Sequence, residues 1–234
     1  MIVLKSLPVV ACALSLVLAA AAPAPAAAAA PAITIGTDGT TAPAFDYDQA
    51  IRERVYIPQP GIDQDRDGAP DWIAVEVMRP KESGTDVKVP AIVDPSPYYT
   101  TVCRGNEGEC IRDVDGDGIN DRWPLFYDNY FVPRGYAYVL AEMNGTANST
   151  GCPMHASPDD VAGMKSVIDW ISGRIKGFDA PTTDGNPVFA DWSNGNSAMI
   201  GKSYDGTLAN AVAATGVDGL KTIVPISAIS DWYR

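Results

Sequence analysis

Read for hydrophobic period, the chain divides into short runs of alternating or continuous apolar residues and a smaller number of helical faces. Arg54-Val55-Tyr56-Ile57-Pro58 predicts a short strand, and Trp72 to Met78 a stronger one with Ile73, Val75 and Val77 on one face. Val87 to Val93 predicts a buried strand running into the proline-stiffened loop Asp94-Pro95-Ser96-Pro97-Tyr98-Tyr99. Gly135 to Ala141 predicts another, followed by the polar loop Asn144 to Ser149. Ser157-Pro158-Asp159-Asp160 has the form of a helix start, with serine as N-cap, proline at the first position and acids in the first turn. Val161, Met164, Val167, Ile168 and Ile171 then fall on one helical face. The aromatic stretch Trp123 to Val132 predicts a further helix, and Ile33 to Ala50 an extended lead-in. Near the end come an apolar run from Ala198 to Ile200, a helical run of small residues from Leu208 to Ala214, and the strand Thr222 to Ile226. Strands alternating with helices in this order predict an α/β fold with a mostly parallel sheet and flanking helices.

The N-terminal residues 1–30 have the pattern of a signal peptide and processing region rather than of fold. Lys5 supplies a positive start, Leu7 to Ala20 an apolar core, and the Ala/Pro-rich tract from Ala19 to Ala32 several small-residue cleavage sites. That run is too short for a spanning helix. Val9-Val10-Ala11-Cys12 is similar to a lipoprotein box, but more apolar core follows Cys12. The expected mature protein, from residue 31 to 234, is therefore secreted, with no membrane attachment after cleavage. Export permits disulfides, and Cys103, Cys110 and Cys152 could pair in more than one way, leaving one over. A net charge of -12 argues against nucleic acid as a partner.

Two acidic stretches share the pattern D-x-D-x-D-G-x-x-D: Asp63, Asp65, Asp67 and Asp71, and Asp113, Asp115, Asp117 and Asp121. Alternate carboxylates on the concave side of a glycine-turned loop suit calcium. Neither stretch has the glutamate of an EF-hand, and a hairpin turn rich in Asp and Gly, which needs no ion, is the favoured reading.

The candidate chemistry lies at Gly201-Lys202-Ser203-Tyr204-Asp205-Gly206, where a strand, a sharp turn and a helix meet. A serine at such an apex requires small residues before and after it, and the helix that follows aims its N-terminal amides where an oxyanion would develop. The plain alternative is a glycine-bounded turn with an incidental serine. The segment Gly201 to Ala209 resembles the nucleophile segment of the Xaa-Pro dipeptidyl-peptidases and the related cocaine-esterase-like α/β-hydrolases, whose elbow is itself G-x-S-Y-x-G. Arg134-Gly135-Tyr136-Ala137 with Asn144-Gly145-Thr146, Asp169-Trp170-Ile171, and the expected turn Trp192-Ser193-Asn194-Gly195-Asn196 resemble three more segments of that family in the same order. Two departures stand at Asn144, where the family has arginine, and at Ala147, where it has glycine.

The resemblance implies an α/β-hydrolase fold and a serine peptidase that releases Xaa-Pro dipeptides from peptide N-termini through an acyl-enzyme, with an esterase or acylase as the alternative. It implies Ser203 as nucleophile, the backbone N–H of Tyr204 as one oxyanion donor and the Tyr98 hydroxyl as the second. Lys202 and Asp205 are expected to orient the elbow or to pair locally rather than to do chemistry. The sole histidine, His155, precedes the serine and is expected at the surface, and Asp231 comes too early for the triad acid. The sheet and triad are thus expected to be incomplete at the C-terminus, and this chain alone to be inactive. No cofactor is expected beyond the calcium option, which would make the protein an extracellular binding module.

Overall fold

In the computed structural model, residues 31–84, 87–98, 113, 115–121, 123–155 and 157–231 are described. The expected leader, Tyr99, Cys103 and Cys110 lie outside them. Strands β1 (Ile51–Gln59), β2 (Asp71–Arg79), β3 (Val89–Ser96), β4 (Ala137–Glu142), β5 (Gly177–Phe178), β6 (Pro187–Val188), β7 (Ser193–Lys202) and β8 (Leu220–Ile226) form one sheet in the order β6-β5-β1-β2-β4-β3-β7-β8. The helices are α1 (Tyr127–Phe131), α2 (Pro158–Ile171) and α3 (Tyr204–Ala214).

Parallel pairing, as expected, joins β4, β3, β7 and β8. The sheet as a whole is mixed, because β1 and β2 are joined by the first acidic loop as a hairpin and pair antiparallel. β2 meets β4 antiparallel as well, so β2 runs opposite to both of its neighbours.

Each predicted strand is present; β1, β2, β7 and β8 are longer than predicted, whereas β3 and β4 start two residues later and run further, β3 taking in Asp94 to Ser96 of the expected loop. α2 begins as its sequence requires. The Ser157 Oγ accepts from the Asp160 N–H at 3.2 Å, and the Asp160 carboxylate accepts from the Ser157 N–H at 2.8 Å, a reciprocal cap. Met164, Val167, Ile168 and Ile171 are buried on the sheet, with α3 beside them. The aromatic stretch is not one helix. Leu125 and Phe126 both take positive φ, 74° and 57°, which breaks it into a 3-10 turn, the short α1 and a second 3-10 turn at Val132–Arg134. The lead-in is partly ordered, with a bridge between Ile35 and Thr41 and a 3-10 turn at Tyr47–Gln49 capped by the Asp46 carboxylate. The expected turn before the nucleophile strand is the irregular start of β7, where Gly195 has φ 82° and the register with β8 shifts after Ser197.

Candidate active site

β7 runs between β3 and β8 and ends at Lys202; α3 starts at Tyr204; Ser203 alone makes the turn between them. Its backbone stands at φ 62° and ψ −117°, a conformation that L side chains rarely adopt. The strain is held from several sides. The Ser203 N–H donates to the Ile226 carbonyl of β8 at 2.9 Å, while the Ser203 carbonyl accepts from the Thr207 N–H at 3.0 Å and from its hydroxyl at 3.0 Å. The Thr207 hydroxyl in turn accepts from the Ile229 N–H at 2.8 Å.

The glycines explain the late spacing of the motif. A Cβ on Gly201 would lie 2.6 Å from the Cβ of Asp205, so strand and helix approach too closely for any side chain there. A Cβ on Gly206 would meet the Gly201 carbonyl at 2.8 Å and the Ile226 backbone at 3.2 Å. The small residue is thus needed where the first turn of α3 crosses the strand pair, at Gly206. Asp205, fully buried, fits one position earlier against a bare Gly201 backbone. The Ser203 side chain is exposed and makes no capping bond to α3, so the hydroxyl stands clear at the helix start. Lys202 is exposed on its other side.

Tyr98 follows β3, the strand next to β7, and therefore stands at the same sheet edge as Ser203. It is half-buried against the aliphatic core, and its N–H donates to the Ser96 Oγ at 3.1 Å. Tyr204 is buried in the same core, and its hydroxyl donates to the Met154 carbonyl at 3.1 Å. His155 is exposed in the loop before α2, and its charge is felt by Asp160 in the first turn of that helix. Cys152 is a half-buried free thiol, and Asp231 is exposed beyond β8.

In the first acidic loop, Asp63, Asp65 and Asp67 bring carboxylate oxygens within 4.8 Å of one another, and Asp113, Asp115 and Asp117 do the same in the second. Both loops close on themselves. Asp63 accepts from the Asp67 and Gly68 N–H groups at 3.1 Å each, and Asp113 from those of Gly116 and Gly118 at 2.6 and 2.9 Å. The fourth aspartate of each pattern stands apart from these clusters. Asp71 is the first residue of β2, buried, and accepts from the Gln64 N–H at 3.0 Å; Asp121 lies 3.8 Å from the Arg52 guanidinium. Among the described residues, the second loop is followed by the 3-10 turn at Pro124–Phe126 rather than by a strand, and it leads to Asn120, which is buried.

Sequence reading missed a set of buried acids on the sheet face opposite α2 and α3. Glu76 on β2 is fully buried, 2.6 Å from the Arg54 guanidinium, and its two oxygens accept from the Asn120 amide at 2.7 and 2.8 Å. Asp94 on β3 accepts from the Tyr138 hydroxyl at 2.9 Å. Glu142, the last residue of β4, accepts from the Asn148 N–H at 2.7 Å and its side-chain amide at 3.3 Å. Burial pushes the Glu142 carboxyl up to about 7, with the Glu76 charge adding to the rise and the Asn148 bonds opposing it. The available signal was a charged residue at an inward register position of an otherwise apolar strand.

The profile of the X-Pro dipeptidyl-peptidase (S15) family matches residues 67–234. A putative Xaa-Pro dipeptidyl-peptidase from Streptomyces avermitilis is 50% identical over 199 residues, covering 85% of this chain and 29% of its own length. The Xaa-Pro dipeptidyl-peptidase of Lactobacillus helveticus is 34% identical, with 84% of this chain and 28% of that protein covered. This chain therefore spans under a third of the length of these relatives. Among solved structures, a CocE/NonD family hydrolase from Staphylococcus aureus superposes with a TM-score of 0.55 at 20% identity, over 79% of this chain and 29% of that one. An α-amino acid ester hydrolase does so with a TM-score of 0.51 at 21% identity, over 84% of this chain and 28% of its own. These two likenesses are of fold, a mixed open sheet with flanking helices of the α/β-hydrolase type. With the profile spanning most of its length, the chain belongs to the X-Pro dipeptidyl-peptidase (S15) family.

Proposed function

We propose that this chain carries the nucleophile and oxyanion half of a serine peptidase that removes Xaa-Pro dipeptides from peptide N-termini. The observation that supports this reading most is the backbone of Ser203, held at φ 62° between β7 and α3 with its side chain exposed. Its Oγ attacks the carbonyl carbon of the substrate's proline, and the hydroxyl proton passes to a base. The negative charge on the carbonyl oxygen is taken up by the Tyr204 N–H, with the Tyr98 hydroxyl as second donor. The C–N bond then breaks, the amine leaves with the proton, and water releases the dipeptide from the serine ester. No cofactor enters this route.

In α/β-hydrolases the base follows the nucleophile along the chain, and His155, the sole histidine of the sequence, precedes Ser203. On this reading the imidazole and its acid partner belong to a longer protein, and residues 1–234 by themselves would lose roughly 10⁴–10⁶ in rate. A fluorophosphonate probe on the full-length protein should label Ser203 and leave Ser203→Ala unlabelled; absence of label would remove the hydrolase reading. Turnover of Xaa-Pro anilides against simple esters separates peptidase from esterase, since ester cleavage alone would favour the latter.

The N-terminal pattern supports a secreted enzyme acting on peptides outside the cell, and N-terminal sequencing of protein from culture medium tests it. A start at residue 1 or an absence from the medium would refute export. No helix among the described residues is long and apolar enough to cross a membrane. The self-closed acidic loops support the turn reading, and the gathered carboxylates the calcium reading. Melting with calcium and with chelator separates them: a rise in Tm with calcium assigns an ion, and no change assigns turns.

A further inference from the structure

We infer that Met154 is a specificity-determining residue, the apolar wall for the substrate residue whose carbonyl is attacked, and that the Tyr204 hydroxyl positions it. This rests on the Ser203 reading above and deepens it. In the acyl-enzyme the substrate carbon is bonded to Ser203 Oγ and its oxygen faces the Tyr204 N–H, so the acyl group lies along the flank of Tyr204. The Tyr204 ring is only 6% exposed and has little surface of its own to offer. Its hydroxyl instead reaches across to the Met154 carbonyl at 3.1 Å, tying the loop before α2 to the elbow.

That loop is held closely along its length. A Cβ on Gly145 would strike the Pro153 nitrogen at 2.4 Å and the Cys152 carbonyl carbon at 2.5 Å, and one on Gly151 the Asp71 carboxylate at 2.5 Å. The Cys152 N–H donates to the Gln64 side chain at 3.2 Å, and the Thr150 N–H to the Trp72 carbonyl at 3.0 Å. From this support Met154 stands 47% exposed, a large apolar side chain at the edge that carries the nucleophile. Exposing that area on a braced loop stabilises nothing in the fold itself. Contact with a compact apolar ring would remove it from water, and the unbranched thioether adapts to the ring's shape.

The test uses full-length enzyme and compares Xaa-Pro with Xaa-Ala anilides. Met154→Ala should lower kcat/KM for the proline substrate by about tenfold and for the alanine substrate by much less. Fluorophosphonate labelling of Ser203 should stay within about twofold, and Met154→Leu should restore most of the preference. Tyr204→Phe keeps the ring and the N–H but frees the loop, so the preference should fall by a smaller factor, mainly through KM. An unchanged Pro-to-Ala ratio in Met154→Ala overturns the inference, as does a parallel fall in labelling and in both substrates, which would mark a structural role. A wild-type enzyme that fails to label would instead overturn the underlying hydrolase reading, so the two failures are distinguishable.

Discussion

Side chains on the two faces of the sheet are buried by different means. Toward α2 and α3 the face is aliphatic: Val75 and Val77 of β2, Val139 and Ala141 of β4, Val93 of β3 and Met199 of β7 pack with Ile168 and Leu208 from the helices. The opposite face has an apolar patch around Tyr138, Leu140 and Trp123, and beside it a row of acids. Glu76, Leu140 and Asp94 are register partners across three strands, and Glu142 lies beside Ser96 two residues further toward the end of the sheet that carries Ser203. An apolar face needs only shape to be stable, whereas each buried carboxylate must be met by a donor. Those donors, Arg54, Asn120, Tyr138 and Asn148, come from other strands or from loops, Asn148 from the loop that follows β4. The acidic face thus dictates where loops dock, and the aliphatic face dictates that the helices stay.

The largest contrast should come from removing charge balance on the acidic face. Arg54→Met leaves Glu76 without its guanidinium and should destabilise by about 4 kcal/mol in urea unfolding, with much of the loss recovered by adding Glu76→Gln. If the double variant is no more stable than the single, the pair is not what the Arg54 side chain contributes. On the aliphatic face Ile168→Ala should cost about 3 kcal/mol through its cavity alone, with the same loss at pH 5 and pH 8.

Glu142 gives that comparison a pH axis. Its folded carboxyl is raised from the ordinary 4.5 to about 7, so the folded state keeps its proton to higher pH than the unfolded chain. Stability should be fullest below about pH 4.5, decline through the window up to about pH 7, and stay level above it as far as this group is concerned. The decline amounts to about 3 kcal/mol, and Glu142→Gln should remove it when Tm is followed from pH 4 to pH 8. A slope unchanged in that variant would assign it to other groups. Smallest is Tyr138→Phe, which deletes one hydroxyl bond to Asp94 and should cost about 1 kcal/mol. A cost above that of Ile168→Ala would mean the acidic face carries more of the stability than the aliphatic one.

Local pattern was enough for the strands, for α2 with its reciprocal Ser157–Asp160 cap, and for the elbow, because each is set by neighbours in the chain. Alternation of apolar residues, a cap residue at a helix start and glycines flanking a serine act over a few positions, and Gly201, Ser203 and Gly206 express their roles within one turn. The aromatic stretch failed as a helix because the left-handed backbone at Leu125 and Phe126 leaves no trace in hydrophobic period. Strand register marked Glu76 and Glu142 as inward positions, but not the partners that let them stay buried, which sit 44 residues away at Asn120 and across a loop at Asn148. The place of Met154 beside the elbow follows from a tyrosine hydroxyl reaching a carbonyl 50 residues back, which only folding brings about. Sequence by itself determined six of the strands, α2, α3, the family and the sharp turn at Ser203, all of which depend on residues adjacent along the chain. Tertiary structure alone decided the direction of β1 and β2, the partners of the buried charges and the surroundings of Ser203, since those depend on groups that meet only when the sheet is assembled.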